Sequence, residues 1–513
     1  LTGLVEAHPV TSAIRPALAE SWEVSENNKE VIFHLRDVNW SDGAPLVADD
    51  VIFTFKYFIM NPVARGNSVD RFTIESQPIE WVKIDDKTVK AILPAPYAAF
   101  FTVLSHAYIY PSHALDSKID KSRPDSVNDL WLTNTPPSEI PANGPFILSE
   151  YIVDQKVVMT RNPNYWKVDV FGNKLPYVDR VEYLVVSDAQ VRLAKFMAGE
   201  LDYMAVSGAD FPILKERELA GGPFKVFLAE PTQPTPSPVH IAFNFDTANP
   251  KLKELFMKTE FRQAMEYALD RERIIDEVYN GLAVLGGVPV LPSNKAFYNP
   301  KIEEIRRPFD LAKAAEILDS LGLKDVNGDG LREFPDGSKF EFVLTVQNSP
   351  QDYQDIAYIF SRDLLDIGVK VNLQILDSSL TGQMFGAGSF EVGIRAFGNQ
   401  PDPQLRKAIW QPGTQLYYWH RTTRDPETNT AIFDNMLEWE KRVYDLFEKG
   451  QIAMDPAIRK TFYDEWQEIY AEYLPVIFVC KGMNLYAANK ALGNVEQNAE
   501  GLLSYASWTV FKK

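Results

Sequence analysis

Six residues between positions 325 and 336 have the types and the spacing to hold a hard cation. The stretch D-V-N-G-D-G-L-R-E-F-P-D puts Asp325, Asn327, Asp329, Glu333 and Asp336 at loop positions 1, 3, 5, 9 and 12, with the Leu331 carbonyl at position 7. Gly330 occupies position 6, where a calcium loop must turn sharply. Calcium takes six or more oxygens, and this set can supply them. Two features depart from the pattern. Asp336 is shorter than the usual Glu, and a strand rather than a helix is expected to follow. A surface turn built on Asn-Gly and Asp-Gly accounts for the same residues without a metal. An ion bound here would serve structure.

Catalytic chemistry finds no comparable foothold. The six histidines, His8, His34, His106, His113, His240 and His420, show no i, i+4 pair and no H-E-x-x-H. There is no G-x-S-x-G elbow, no phosphate loop and no G-x-G-x-x-G. Cys480 is the only cysteine and lies in an apolar stretch, so it reads as a small buried hydrophobe. Carboxylate pairs such as Asp49 and Asp50 are read as solvated faces in a chain with 70 acids. The expectation is therefore a protein that is not an enzyme.

At 513 residues the chain is long for one hydrophobic core, and two or three domains are expected. A net charge of −18 repels phosphate backbones and argues against nucleic-acid binding. Uninterrupted apolar runs stay under about ten residues, against the roughly 20 that span a bilayer. Glu30–Arg36 and Thr88–Leu93 alternate as half-buried strands do, around a turn at Trp40–Pro45 and a helix at Ala48–Tyr57. A short helix is expected over Ala95–Leu104. Strands follow at Phe146–Val153, Val157–Arg161 and Val181–Val186, then a helix at Asp188–Ala198. Pro-rich stretches at 136–145 and 231–238 read as crossovers, because proline excludes a regular helix or a central strand. Beyond them helices at Glu260–Tyr279, Leu311–Leu321 and Tyr353–Ile367 alternate with strands at Phe340–Val346 and Val369–Leu376. Two further helices are expected at Ala431–Glu448 and Pro456–Ala471.

Seven stretches in order resemble the large oligopeptide-type solute-binding proteins of ABC importers. They are I-R-P-A-L-A-E-S-W-E-V (14–24), F-H-L-R (33–36), W-S-D-G-A-P-L-V-A-D-D-V (40–51), N-G-P-F-I-L (143–148), R-N-P-N-Y-W (161–166), F-M-A-G-E-L-D-Y (196–203) and F-R-Q-A-M-E-Y-A-L-D-R (261–271). The resemblance implies an α/β, two-lobed periplasmic-binding-protein fold of the type II-like large cluster, with an additional domain and one discontinuous lobe. It places a mainly additional, β-rich domain at 1–140, the discontinuous lobe at 141–240 and 483–513, and the second α/β lobe at 241–482. It also implies some tens of residues ahead of Gly3–Glu6, including a first strand of the discontinuous lobe.

The function it implies is high-affinity capture of an oligopeptide in an interlobe cleft, closure by hinge motion, and delivery to a membrane permease. The expected protein is periplasmic or extracytoplasmic, lipid-anchored or free, and monomeric. It has no cofactor apart from the candidate structural calcium. In peptide binders of this family an Asp pairs with the ligand's α-amino group. Asn399 stands at the matching place in I-R-A-F-G-N-Q-P-D-P and cannot supply that charge, while Asp402 fits the second, turn-forming acid. The strand 391–397, ending at Phe397, can still pair with an extended peptide. The alternative ligand is an oligosaccharide, stacked on Trp410, Tyr417, Tyr418 and Trp419, with His420 as a donor and Asn399 as polar anchor. A glycosidase with two opposed carboxylates, or a scaffold that closes on no ligand, would be other uses of the same chain.

Overall fold

The structure, a computed structural model, describes residues 1–8, 12–229, 238–398, 401–495 and 507–513. Asn399 and most of the Pro-rich stretch before Pro238 lie outside them.

In the strand Glu30–Leu35, Val31, Phe33 and Leu35 point inward and their neighbours outward. It pairs antiparallel with Ala19–Val24 and Thr88–Ile92, and Glu80–Asp85 completes a four-stranded sheet. The turn after it is fixed by Asp50, which is fully buried. Its carboxylate accepts from Trp40 Nε1 at 3.1 Å, Val47 N at 3.1 Å, Ser112 N at 2.8 Å and Ser112 Oγ at 2.6 Å. Four donors make a buried acid tolerable. Its neighbour Asp49 does sit on the surface, pairing with Lys83 at 2.7 Å. The helix expected over Ala95–Leu104 shortens to Phe100–Leu104.

Two three-stranded antiparallel sheets follow. One joins Phe146–Ile152, Lys156–Arg161 and Arg180–Leu184. In the other, Asn484–Asn489 runs between Tyr203–Ala205 and Phe224–Ala229. Leu485 and Ala487 thereby complete a core begun by Phe196, Met204 and Leu214. The end of the chain finishes a unit started far earlier.

The largest core surrounds a five-stranded sheet ordered Lys370–Leu376, Glu341–Gln347, Val392–Arg395, His240–Phe243, Val476–Phe478. The first three strands are mutually parallel, and His240–Phe243 is antiparallel to both of its neighbours. The single helix expected over Glu260–Tyr279 is two, Thr259–Tyr267 and Arg271–Tyr279. The apolar period continues through the break, but Asp270 accepts from Arg273 N at 3.0 Å and starts a new helix. Arg262, fully buried, donates to the carbonyls of Phe256, Tyr473 and Leu474 at 2.6, 2.7 and 2.9 Å. Arg271 joins Glu266 at 2.8 Å and the Phe478 carbonyl at 2.8 Å. The F-R-Q-A-M-E-Y-A-L-D-R stretch thus fastens these helices to the last strand of the sheet. The helix expected at Ala431–Glu448 runs instead from Glu438 to Ile452, because the Glu440 carboxylate folds back onto Leu437 N at 2.9 Å and fixes the start.

Candidate functional site

Parallel strands that all end at one edge create a crevice there, lined by the turns that follow them. Here that edge carries Gln347–Asp352, Asp377, Arg395–Gly398 and the chain leaving Phe478. The two lobes are joined beside it. Val239 N donates to Cys480 O at 2.9 Å and Val479 N to Val239 O at 2.7 Å, so both crossing segments run paired. On one side the pairing continues into that of His240–Ala242 with Val476–Phe478, and beyond Cys480 the later segment leads to Asn484–Asn489, which pairs with Phe224–Ala229.

Charged groups gather at this edge. Arg395 lies over the rings of Phe385, Phe397 and Tyr418 at 4.9, 4.8 and 5.2 Å. Tyr279 donates to Asp352 Oδ2 at 2.6 Å. Burial raises the Asp352 carboxyl, partly offset by that hydrogen bond and by Lys481. Burial also lowers Lys481, offset by Asp352 and Cys480. Arg395, Asp352, Tyr279 and Lys481 escape a reading by local motif, since no two of them are close in sequence. Position at or just beyond the end of a strand of the sheet is the signal that finds Arg395, Asp352 and Lys481, whereas Tyr279 closes the helix Arg271–Tyr279.

The residues expected at the site fall into three groups. Phe397 is half-buried at the strand end, against His240 and under Arg395. Asn399 lies outside the described residues. The rest are corrected by burial. Trp410, Tyr417, Tyr418 and Trp419 are at most 3% exposed and belong to the core of the α/β lobe. Tyr417 donates to Glu440 Oε1 at 2.9 Å, and His420 Nδ1 meets the same buried carboxylate at 2.9 Å. Trp410 packs on Trp419 and Phe478, and its carbonyl accepts from Tyr470. These rings present no face on which a sugar could stack. Asp402 is also occupied, held by Arg459 and capping Gln404 N at 2.9 Å.

In the candidate cation loop, carboxylate oxygens of Asp325, Asp329 and Glu333 lie within 4.8 Å of one another. Asp325 accepts from Gly328 N and Gly330 N at 2.7 and 2.9 Å, which tightens the turn. Asn327 is present in the loop but spends its amide N–H on Glu333 Oε1 at 2.6 Å. Leu331 N donates to Asp329 at 2.9 Å. Asp336 does not join them. It pairs with Lys251 and Ser338, which corrects its place in the ligand set.

Comparison with known proteins agrees with this architecture. The model of the bacterial extracellular solute-binding proteins, family 5 Middle, matches residues 13–454. A probable ABC transporter-binding protein of Deinococcus radiodurans is 27% identical over 492 residues, covering 92% of this chain and 80% of its own. The oligopeptide-binding protein AppA of Bacillus subtilis is 27% identical over 483 residues, covering 91% and 76%. Among solved structures, the periplasmic binding protein MelB of Agrobacterium fabrum C58 in complex with stachyose superposes with a TM-score of 0.81 at 24% identity, covering 97% of this chain and 77% of that one. Among the described residues no helix is long and apolar enough to cross a membrane. The chain belongs to family 5 of the bacterial extracellular solute-binding proteins, the solute-binding components of ABC importers.

Proposed function

We propose that this chain captures an oligopeptide outside the cytoplasm, closes its lobes on it and presents it to a membrane permease. The paired crossover at Val239 and Val479 carries this reading. Two adjacent segments form a narrow hinge beside the strand-end edge, so rotation there opens or closes the crevice with both cores intact. Addition of an extended peptide along the segment that follows Arg395 would supply the backbone hydrogen bonds of recognition. A second reading, an oligosaccharide ligand, is favoured by the likeness to MelB. It needs stacking rings other than the buried cluster at 410–420. Melting-temperature shifts across defined oligopeptides and oligosaccharides separate the two readings. Stabilisation by sugars alone overturns the peptide reading.

We also propose that the loop 325–333 holds a structural calcium ion. Carboxylate oxygens of Asp325, Asp329 and Glu333 converge within 4.8 Å, a spacing at which one hard cation takes oxygens from all three.

A further inference from the structure

The α/β lobe touches the rest of the molecule in a second place, apart from the crossover. Gln451, near the end of the helix Glu438–Ile452, is fully buried. Its Nε2 donates to Thr73 O at 2.9 Å, and its own carbonyl accepts from Ala98 N at 3.2 Å. Both partners belong to the β-rich domain. On the side of the lobe, Lys407 Nζ donates to Gln451 Oε1 at 3.1 Å and pairs with Glu448 at 2.6 Å, which orients the amide. Leu405 is only 1% exposed and completes the core of the β-rich domain, with Ile452 packed against the same core. None of these residues lies in the crossing segments at Val239 and Val479.

On another side the β-rich domain is fastened to the segment that follows it. Ser41 N donates to Ala142 O at 2.8 Å, Ala142 N to Ser41 Oγ at 2.9 Å and Asn164 Nδ2 to Trp40 O at 2.8 Å. The Arg36 guanidinium lies over Trp166 at 4.3 Å, and Lys167 forms an ion pair with Glu6. Lys167 also lies over Trp508 at 4.9 Å. Phe511, three residues on, pairs with Gly493, so the fastening extends to the lobe that Asn484–Asn489 completes.

A lobe held at two separate places cannot turn about one of them and keep the other, unless the axis runs through both. Opening about the crossover therefore parts one boundary of the β-rich domain. The boundary at Arg36–Ser41 carries a chain connection, an ion pair and a cation–π contact. The boundary with the α/β lobe has no chain connection, and water can take over the two hydrogen bonds of Gln451 when it parts.

We propose that Gln451 and Leu405 form a latch, which parts from the β-rich domain when the crevice opens and seats again when it closes. The proposal rests on the solute-capture reading and adds what regulates its affinity. Closure on a solute remakes the latch, so the fraction of the chain already latched without solute scales the observed affinity. Gln451 and Leu405 are positioning residues, and neither needs to touch the solute.

The test is the distance between paired spin labels. Cys480 is buried, so cysteines introduced at exposed positions take the label. Ile84→Cys with Ile458→Cys spans the β-rich domain and the α/β lobe, and Ile84→Cys with Leu219→Cys spans the β-rich domain and the other lobe. Without solute, Gln451→Ala and Leu405→Ala should each lengthen the distance between 84 and 458 and leave that between 84 and 219 unchanged. Affinity for a solute that raises the melting temperature should fall about tenfold in each variant. Saturating solute should restore the wild-type distance, which a merely misfolded variant would not show. A solute-free distance between 84 and 458 equal to wild type in both variants, or a change between 84 and 219 in its place, overturns the latch. The solute-free comparison needs no ligand. If it shows the lengthening while no oligopeptide or oligosaccharide shifts the melting temperature, the solute-capture reading fails and the latch stands.

Discussion

Asp402 and Arg459 exchange two buried charge-assisted hydrogen bonds, Arg459 Nη1 to Asp402 Oδ2 at 2.6 Å and Nη2 to Oδ1 at 2.7 Å. The pair ties the turn after the candidate ligand strand to the helix Pro456–Tyr473. Asp402 therefore fixes the start of the short helix Pro403–Arg406. Breaking one side of a buried pair leaves a charge uncompensated, at about 3–5 kcal/mol. Asp402→Asn is expected to lower unfolding stability by roughly that much, read as a shift of the urea midpoint. A midpoint unchanged from wild type would show that the link is not structural.

Trp419 is wholly buried between Trp410, Tyr417 and Tyr418. Its replacement by Ala should cost about 3–5 kcal/mol of stability through the cavity it leaves. Solute affinity, measured at temperatures where the variant stays folded, should remain close to wild type. Lost affinity at unchanged stability would return Trp419 to the ligand site.

Acid should destabilise the α/β lobe through His240. Its ring is fully buried, with Nε2 3.1 Å from the Tyr418 hydroxyl. Burial, with Arg395 adding to it, holds its pKa down to about 3. An unfolded histidine titrates near 6.5, so below that pH the unfolded chain takes up a proton that the folded chain refuses. The associated stability is complete above about pH 6.5 and is lost as pH falls toward 3, by up to about 1.4 kcal/mol per unit. His106, lowered to about 4, acts with the same sign. Urea unfolding between pH 6.5 and 5 should show a shallower pH slope for His240→Gln than for wild type. Parallel slopes would contradict the assignment.

The strand–turn pattern of the β-rich domain and the alternation of the α/β lobe were legible because period-2 burial leaves its mark in residue type, as at Glu30–Leu35. The resemblance motifs were legible too, although their work is mainly structural. Asp50 and Arg262 are anchoring groups with several buried partners each. The site was less legible. An aromatic run such as Tyr417–Trp419 serves a core or a cleft equally well until its neighbours are known. The edge that gathers Asp352, Arg395 and Lys481 exists only once the sheet order is fixed. The break at Asp270 was hidden because hydrophobic periodicity continues across it, whereas capping is a matter of backbone geometry.

Calcium should stabilise the protein through the loop at 325–333. Millimolar calcium is expected to raise the melting temperature, and chelator to reverse the shift. Asp325→Asn combined with Asp329→Asn should remove the response, while Asp336→Asn, outside the cluster, should leave it in place. An equal calcium response in the double variant would place the ion elsewhere.

Closure about the paired crossover is the central claim, and X-ray scattering with and without a solute that raises the melting temperature reads it most directly. A smaller radius of gyration is expected in the bound state, with the change saturating at the same concentration as binding. A solute that binds while the radius of gyration stays constant would contradict it.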